Sequence, residues 1–383
     1  NFGAPPMPLE PDFITASPSL VAALRLAFVP GVGPRIRRKL LEKFGTPEAV
    51  FAAAYSDLRL VERVGPKLCR AICAAREEID VEAEIDLCRR SDIQIITECD
   101  DAYPRLLREL PDPPGVLFVK GRIIPSDAMA IAIVGARHAT HYGLAQAERL
   151  AGGLARAGLT VVSGLARGID AAAHRGALSA GGRTIAILAS GVLNIYPPEN
   201  RELSEQIAAQ GAVVSESPPH FEPLAGMFPQ RNRIISGLSL GVIVVEASVR
   251  SGALITARHA AEQGRDVFAL PGLVTSRMSQ GCHRLIRDGA KLVETVDDVL
   301  EELGPLVAAA PAQGDGREIH HPAELSLNDL ERQVLTAIPE QSATIDTVIA
   351  ASGLTAPQVL STLSVLEMRR LIRRLSGNLI LRL

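Results

Sequence analysis

The sequence predicts an α/β fold: a Rossmann-like, mostly parallel sheet core with an N-terminal helical domain and a C-terminal winged helix. Between residues 129 and 300, short apolar runs alternate with amphipathic helical patterns. This alternation is typical of a parallel sheet covered by helices on both faces. Residues 20–80 contain helical patterns without such runs, and residues 326–383 contain three helical patterns followed by a predicted terminal hairpin.

The stretch from Met129 to Asp170 contains the clearest unit of this sheet. An apolar run at 130–134 ends in Gly135-Ala136-Arg137, a helical pattern follows, and a second run at 159–162 ends in the small-residue segment 163–170. Strand, turn, helix, strand and turn in this order predict a βαβ unit. Ligands bind outside the carboxyl ends of such strands, and both turns carry glycine close to arginine. Glycine admits close backbone approach and arginine offers a planar fork, so we predict a phosphate-binding surface.

The remaining elements continue the alternation. Further strands are predicted at 93–96, 116–119, 184–188, 212–215, 242–246 and 266–270. Helices are predicted near 199–209, 231–239, 252–263 and 279–288. One sequence leaves the order of the strands in the sheet open.

Composition divides the 383 residues into four predicted regions. Residues 1–80 form the helical domain and residues 81–302 the extended Rossmann-like core. Residues 303–325 are rich in Ala, Pro and Gly and lack periodicity, which predicts a linker. Residues 326–383 form the winged-helix domain.

The first region contains a weak internal repeat. Val29-Pro30-Gly31-Val32-Gly33-Pro34-Arg35 is echoed by Val61-Glu62-Arg63-Val64-Gly65-Pro66-Lys67. The pattern resembles the helix-hairpin-helix (SAM-like) motif, whose turn amides contact a nucleic-acid phosphate. The first copy is locally basic, with one glutamate against Arg25, Arg35, Arg37, Arg38, Lys39 and Lys43. A helical bundle that binds protein explains the same residues, so both interpretations stay open.

The winged-helix region is also basic near its end. One glutamate, Glu367, stands against Arg369, Arg370, Arg373, Arg374 and Arg382. Many winged helices bind protein, so DNA contact and protein contact are both open here.

Charge and cysteine usage limit the classes of function. The net charge of −3 argues against a uniformly basic nucleic-acid coat, so any such site is local. Five cysteines without a C-x-x-C pair predict reduced thiols in a cytoplasmic protein and no zinc site. No apolar run approaches the ~20 residues of a membrane span. Residues 1–18 lack the basic end and apolar core of a signal peptide.

Enzymatic motifs are poorly supported. The chain has no G-x-x-x-x-G-K-[ST] string, and no G-x-G-x-x-G with its ribose acid is placed as a dinucleotide fold requires. Gly237–Gly241 matches G-x-S-x-G, but it follows a predicted helix, whereas a nucleophile elbow needs a strand before the helix. No spacing predicts a metal site, and His174 is expected to pack or hydrogen-bond locally. We therefore predict no catalysis and no cofactor.

Four clusters of small, hydroxyl or basic residues fall beside predicted strand ends or helix starts. They are Gly135–Arg137, Ser163–Asp170, Phe228–Gly237 and the pair Glu246–Ser248 with Ser251–Ala257. Arg231 and Arg233 flank an asparagine at a predicted helix start, where the positive dipole end disfavours cations unless an anion is bound.

Other polar residues in these clusters have simpler explanations. Helix capping explains Ser251 or Thr256 taken alone. We expect Asp170 and Glu246 to orient arginines or loop amides, and we do not expect them to be catalytic.

Together these segments resemble the DNA-processing protein A (DprA, also called Smf) family. The matching strings cover about residues 100–300: Ile133–Arg137, Val162–Asp170 with Ala173-His174, Phe228–Leu238, Val245–Ala247, Ser251–Ala257 and Ala269–Gly272. One departure is Ala136, where the family often has serine, so a hydroxyl contact to phosphate is missing there.

The resemblance implies a protein that binds and protects single-stranded DNA in natural transformation and recombination. It implies loading of the RecA recombinase, displacement of single-strand-binding protein, and a homodimer formed through the Rossmann-like core. No catalytic activity is established for the family. The implied DNA contacts are Gly135, Ala136, Arg137, Ser163, Gly164, Arg167, Gly168, Phe228, Arg231, Asn232, Arg233, Ser251, Gly252, Thr256 and Lys291.

Two rival functions are weighed against this one. A nucleotide hydrolase resembling the lysine-decarboxylase-like phosphoribohydrolases would use a P-G-G-x-G-T string, where this chain has Ser251-Gly252-Ala253-Leu254-Ile255-Thr256. A protein-binding scaffold would use the core as a dimerisation platform.

Because aromatic residues are only 3% of the chain, DNA binding should rest on phosphate more than on base stacking, with Phe228 available for one base. Affinity should then fall steeply with salt.

Overall fold

A computed structural model of the protein describes residues 17–304, 310–311, 318–319, 329–339, 343–368, 371–375 and 379–382. Most of the predicted linker lies outside these residues, as do Arg369, Arg370 and the side chains of Arg373, Arg374 and Arg382. The chain divides into two compact units. Of the described residues, the first unit comprises 17–100 together with Pro111–Val116, and the second comprises Asp101–Leu110 and those from Leu117 onward.

The first unit is helical, as its sequence pattern predicts. Its described elements are α1 (Pro18–Phe28), α2 (Pro34–Phe44), α3 (Pro47–Ala52), α4 (Tyr55–Leu58), α5 (Pro66–Glu78), α6 (Glu82–Arg90) and β1 (Ile93–Thr97). Helices α1, α2 and α5 begin with proline, whose missing N–H is not needed in a first turn. Gly31 turns the chain between α1 and α2 at a φ of 93°, which glycine adopts without strain.

The basic residues of this unit are largely committed to contacts within it. The Arg37 side chain is 8% exposed and donates to Glu98 at 2.6 Å. Arg38 pairs with Glu42 at 2.9 Å, and Lys39 pairs with Glu62 at 2.5 Å. Because paired cations attract phosphate less than free ones, these contacts weaken the electrostatic case for DNA binding at the first helix-hairpin-helix copy.

The second unit contains the predicted sheet. Its strands are β2 (Val116–Gly121), β3 (Ala130–Val134), β4 (Thr160–Ser163), β5 (Thr184–Leu188), β6 (Ala212–Ser215), β7 (Gly241–Val244), β8 (Asp266–Ala269) and β9 (Lys291–Leu292). Its helices up to residue 304 are α7 (Arg105–Arg108), α8 (His141–Arg156), α9 (Ile169–Ser179), α10 (Arg201–Gln210), α11 (Met227–Gly237), α12 (Ala253–Glu262), α13 (Gln280–Arg287) and α14 (Val296–Leu303). Short 3-10 turns lie at Pro125–Ala128 and Pro198–Asn200.

The strand order of this unit is β2-β6-β5-β4-β3-β7-β8-β9. All neighbouring pairs are parallel except β2 and β6, which are antiparallel. The chain winds outward from β3 through β4 and β5 to β6, and then returns to the other side of β3 with β7. The order therefore reverses between β3 and β7, and the loops after two such strands diverge and leave a crevice for a ligand.

The core beneath this crevice is built from the apolar runs. All five residues of β3 are buried, because helices cover both faces of the strand. Helix α8 packs Ala147, Leu150 and Leu154 into the same cluster as Ile131. Burial of a side chain such as Leu150 stabilises the fold by roughly 1.5–3 kcal/mol. The mostly parallel α/β core is thus confirmed.

The winged helix is also confirmed in the described part of the C-terminal region. It consists of α15 (Asp329–Thr336), β12 (Ala343–Thr344), α16 (Ile345–Ser352), α17 (Ala356–Met368), β13 (Ile372–Leu375) and β14 (Leu379–Arg382), and it is preceded by the two-residue strands β10 (Ala310–Pro311) and β11 (Glu318–Ile319). The three strands pair antiparallel in the order β12-β14-β13, and Val334, Val348, Leu363 and Ile380 share one buried core.

The described helices are short or polar relative to a membrane-spanning helix. No single one of them is long and apolar enough to cross a membrane. The pair α16 and α17, bent by 115° between Ile345–Ser352 and Ala356–Glu367, satisfies length and composition only when taken together.

Candidate functional site

A cavity of about 710 Å³ opens where β3 and β7 end. Its walls come from the loops after β3, β4, β5, β6 and β7 and from the N-terminal turns of α11 and α12. The structure brings together ten predicted site residues here: Gly135, Ala136, Arg137, Asp170, Phe228, Arg231, Asn232, Ser251, Gly252 and Thr256. Tyr196 also lines the cavity and is not among the site residues predicted from the sequence. The only signal for it was an aromatic residue in the loop after a predicted strand.

Glycine makes the close packing of the first two loops possible. A Cβ at Gly168 would lie 2.3 Å from the Ala136 carbonyl oxygen, and the residue has a φ of 74°. A Cβ at Gly135 would lie 2.6 Å from Ile169 Cγ1. The Ile169 amide donates to the Ala136 oxygen at 3.2 Å, which joins the loop after β3 to the start of α9. Both glycines therefore shape the cavity wall, and side chains are excluded at these points.

Glu246 holds the loop after β3 in place. Its carboxylate accepts hydrogen bonds from the Thr140 amide at 2.8 Å and the Thr140 hydroxyl at 2.5 Å. Its own carbonyl oxygen accepts from the Ala136 amide at 2.8 Å. We expected Glu246 to orient arginines or loop amides, and these contacts place it against a loop amide; among the described residues it pairs with no arginine.

Arg137 presents an unpaired cation to the cavity. Its side chain is exposed, and its guanidinium carbon lies 5.0 Å from the centre of the Phe228 ring. Among the residues that the structure describes, Arg137 has no hydrogen-bond or ion-pair partner. Such a cation–π contact is worth about 0.5–1 kcal/mol at an exposed site, which a charge-assisted phosphate contact can replace. Because Arg137 covers one face of Phe228, base stacking on that face requires the arginine to move.

Arg231 is the buried counterpart of Arg137. It is 7% exposed, and its Nη1 donates to the Ile187 oxygen at 2.6 Å. Its Nε is buried without a hydrogen-bond partner in the described structure. Burial lowers the pKa of Arg231 to about 10, with Asp170 opposing the shift and Arg137 adding to it. The side chain thus stays cationic near neutral pH.

Asp170 is the acidic residue in the cavity wall. Its Oδ2 accepts from the amides of Gly164 at 3.1 Å and Ala166 at 3.4 Å, so it orients loop amides as expected. Burial raises the pKa of this carboxyl, while the nearby Arg231 opposes the rise. Two arginines against one aspartate leave a positive excess in the cavity, which favours an anionic ligand.

Helix α11 begins four residues earlier than predicted. Its first residue is Met227, so Arg231 and Arg233 lie in its second turn and away from the first amides. No bound anion is therefore needed to offset cations at the start of this helix. Arg233 is buried and donates to both oxygens of Glu216, at 2.7 and 2.5 Å, and it does not line the cavity.

Three other predicted contacts also lie outside this cavity. Arg167 is ion-paired with Glu199 and lines a neighbouring groove. Ser163 is fully buried and donates to the Ile133 oxygen at 2.6 Å. Lys291 is paired with Glu302, which raises the pKa of Lys291, and it lines a separate groove beside α12 and α13.

Gly164 and Gly168 also stay outside the cavity lining. Gly164 borders a small crevice with Arg137 and Phe228, and Gly168 borders the groove of Arg167. Both lie at the edges of the cavity and support its walls.

The hydroxyl residues of α12 have local partners. Ser251 accepts from the Ala253 amide at 3.3 Å, and it lies one residue before Gly252, the N-cap of the helix, which has no side-chain capping bond. Thr256, the fourth residue of the helix, is buried. The Asn232 side chain donates to the Gly252 oxygen at 3.4 Å and joins α11 to this loop. These residues shape one wall of the cavity.

The G-x-S-x-G string has a structural explanation. Helix α11 ends at Gly237 and β7 begins at Gly241, so a helix precedes the strand. Ser239 is fully buried and donates to the Ile235 oxygen at 2.9 Å. In the described ranges, no three His, Cys, Asp or Glu side chains are grouped so as to hold a metal ion.

His174 lies beneath the site and hydrogen-bonds locally, as predicted. Its Nδ1 is 2.7 Å from the Thr184 hydroxyl, which itself donates to the Val161 oxygen at 2.7 Å. The Thr184 proton is thus used, so Nδ1 carries the imidazole proton. Nε2 is buried without a partner among the described atoms. Burial, with Arg231 and Arg175 nearby, lowers the pKa of His174 to about 3.

This histidine should make the fold acid-sensitive. Between pH 6.5 and about 3, His174 is protonated in the unfolded chain and neutral in the native protein. The free energy of unfolding should therefore fall by about 1.4 kcal/mol for each pH unit below 6.5. Urea unfolding of the parent and of His174→Leu between pH ~7 and ~5 measures this term, because the variant should lack it. The same pH dependence in both proteins would contradict the assignment.

Comparison with protein families gives three matches along the chain. A family model described as DNA recombination-mediator protein A matches residues 94–304. A DprA winged helix domain model matches residues 318–378, and a SAM-like helix-hairpin-helix tandem model matches residues 23–78.

Individual proteins give the same result. Protein Smf of Synechocystis is 36% identical over 378 residues, which span 91% of this chain and 95% of that protein. DNA processing protein DprA of Streptococcus pneumoniae is 48% identical over 203 residues, or 53% of this chain and 72% of that protein.

Two solved structures extend the comparison. The X-ray structure of S. pneumoniae DprA has a TM-score of 0.65 and 38% identity, and covers 73% of this chain and 97% of its own. A structure of DNA processing protein A from Helicobacter pylori has a TM-score of 0.51 and 31% identity, and covers 57% of this chain and 99% of its own. That structure gives insight into how the H. pylori protein binds single-stranded DNA.

Proposed function

The chain belongs to the DNA recombination-mediator protein A (DprA/Smf) family, and we propose that it binds single-stranded DNA by the phosphate backbone in the cavity where β3 and β7 end. The observation that carries the proposal is the unpaired Arg137 guanidinium, which shares a positive cavity with the buried Arg231. A phosphate there would supply the acceptor that Arg137 lacks. The single-stranded DNA named for the H. pylori relative supports this class of ligand.

Binding at this site should depend little on base sequence. The cavity offers two guanidinium groups and bare main chain at Gly135 and Gly252, while Phe228 and Tyr196 are the aromatic side chains in its lining. Phosphate contacts make affinity salt-dependent, because bound counterions are released. We propose a binding role and no catalytic one, with Asp170 acting through loop amides.

The finer function is delivery of the bound strand to a recombinase. We propose that the protein protects incoming single strands in the cytoplasm, loads RecA onto them and helps displace single-strand-binding protein. The family's description as a recombination mediator supports this part. RecA filament assembly on a strand coated with single-strand-binding protein tests it: the parent chain should shorten the lag, and Arg137→Ala should restore it.

The protein is also proposed to form a homodimer through the core. Strand β9 ends the sheet order, so one of its edges has no neighbouring strand in the described sheet. Its residue Leu292 is 44% exposed. An open edge with an exposed apolar side chain favours pairing with a second copy. Sedimentation velocity of the full chain tests this, and a monomer at all concentrations would contradict it.

The central experiment compares single-stranded and duplex DNA by fluorescence anisotropy at two salt concentrations. We expect tighter binding of an unstructured oligothymidylate than of a duplex, with similar affinity for a mixed-base single strand. Affinity should fall with a slope of about −0.7 per phosphate contact on a logarithmic salt scale. Absence of single-strand binding, or release of free base from a nucleoside monophosphate, would overturn the proposal, the latter in favour of a nucleotide hydrolase.

A further inference from the structure

A second groove, of about 390 Å³, lies beside the cavity and shares two lining residues with it, Arg137 and His138. We call it the Arg175 groove, after a residue that lines it and not the cavity. Its charged side chains are Arg137, Arg167, Arg175 and Glu199. Three guanidinium groups against one carboxylate make this surface positive, and a strand that reaches Arg137 from the cavity would enter it next.

The carboxylate of Glu199 already occupies one of these arginines. Glu199 and the Arg167 Nε form an ion pair, and both side chains are about half exposed, at 50% and 51%. The pair raises the pKa of Arg167 and lowers the pKa of Glu199. Because water and salt screen an ion pair this exposed, the pair is weak and a phosphate can displace the carboxylate at little cost.

The groove is held in shape independently of that ion pair. The buried Asn200 donates its side-chain N–H to the Leu165 oxygen at 2.8 Å, which ties the Pro198–Asn200 turn to the loop that carries Arg167. Glu199 is therefore presented to Arg167 by a fixed turn. Arg175 projects from α9 with an exposed side chain and, among the described residues, without a hydrogen-bond or ion-pair partner.

We propose that the Arg175 groove is a second phosphate site on the path of the strand, and that Glu199 occupies Arg167 until the phosphate replaces it. This inference rests on the proposed function, since it extends the same strand beyond the cavity. Glu199 acts as a stand-in anion: it keeps Arg167 oriented in the free protein and lowers its affinity for phosphate. The ligand is the phosphodiester of a neighbouring nucleotide.

Removing the stand-in anion should tighten binding. Glu199→Gln should bind a long oligothymidylate about two- to fivefold more tightly, because the carboxylate no longer competes. Glu205→Gln is the matched control: it removes the same charge from α10, where Glu205 pairs with Lys120 at 2.7 Å and does not line the groove. This control should bind like the parent.

A double-variant comparison separates displacement from general electrostatics. If Glu199 acts by occupying Arg167, then Glu199→Gln should bring no gain when Arg167→Ala is already present. Arg175→Ala should weaken binding about two- to fivefold and reduce the salt slope by about 0.7. The side chains of Arg167, Arg175 and Glu199 are all exposed, so their replacement should leave the fold intact. Thermal unfolding followed by circular dichroism should show that each variant is folded.

The outcomes distinguish this inference from the function on which it rests. The inference falls if Glu199→Gln binds no more tightly than Glu205→Gln, if its gain persists with Arg167→Ala, or if Arg175→Ala binds like the parent. In those cases, a loss of binding in Arg137→Ala would leave the proposed function intact. If the parent chain binds no single-stranded DNA at all, both fail together.

Discussion

Replacing Arg137 by alanine should weaken single-stranded DNA binding by about ten- to a hundredfold while the core stays folded. A hydrogen bond to a charged group contributes about 1.5–3 kcal/mol, and each 1.4 kcal/mol is a factor of ten in affinity. Arg137 is exposed and has no ion-pair partner in the described structure, so its removal leaves no cavity and no orphaned acid. Anisotropy titrations at several salt concentrations measure both the affinity and the loss of about 0.7 in salt slope.

Two companion variants make this result specific. Arg258→Ala removes the same charge from the far side of α12, where Arg258 lines another groove and its side chain is 70% exposed, and should bind like the parent. Arg137→Lys keeps the charge but loses the planar fork, so it should recover only part of the affinity. Equal affinity of Arg137→Ala and the parent throughout the titration would refute the assignment.

Adding a single methyl group at Gly164 should have a large effect on stability. A Cβ there would lie 1.8 Å from Arg231 Nη1, a distance that no contact tolerates. The guanidinium would have to leave the Ile187 oxygen, to which it donates at 2.6 Å in the interior. We expect Gly164→Ala to lower the free energy of unfolding by about 3 kcal/mol, from overpacking together with a lost buried hydrogen bond.

A double-variant cycle identifies the cause of that loss. Arg231→Ala alone should also destabilise by about 3 kcal/mol, because Asp170 loses the buried cation that most favours its charged form. In the Arg231→Ala protein, however, Gly164→Ala should cost little, since the clashing group is gone. Gly226→Ala is the control, with a φ of −68° and open space around its Cβ. Strictly additive losses in urea unfolding would show that Gly164 acts through something other than Arg231.

Much of the fold was predictable because periodicity and burial are local properties of the chain. The run at 130–134 became β3 with the predicted bounds, and 184–188 became β5. The start of α11 was misplaced because Pro229 interrupts the helical pattern, although proline is tolerated in a first turn. Small residues near strand ends likewise indicated where a ligand site would lie, since β3 and β7 end at the crevice.

The sequence could not predict which basic side chains form ion pairs in the folded protein. Arg167, Arg233 and Lys291 stand in favourable motifs, yet each meets an acid that comes from another part of the chain. Their acid partners are Glu199, Glu216 and Glu302, which lie 32, 17 and 11 residues away. A basic motif shows that a positive charge is present, but it does not show whether an acidic side chain from another part of the chain pairs with that charge.

The sequence by itself determined the layered α/β core, the two smaller domains that precede and follow it along the chain, and the family to which the chain belongs. Those properties follow from the order of apolar runs, turns and motifs along the chain. Only the tertiary structure decided that Arg137 faces the cavity unpaired and that Arg231 is buried behind it. The physical reason is that the net charge of a site is a sum over groups brought together by folding, and the loops that meet between β3 and β7 are far apart in the sequence.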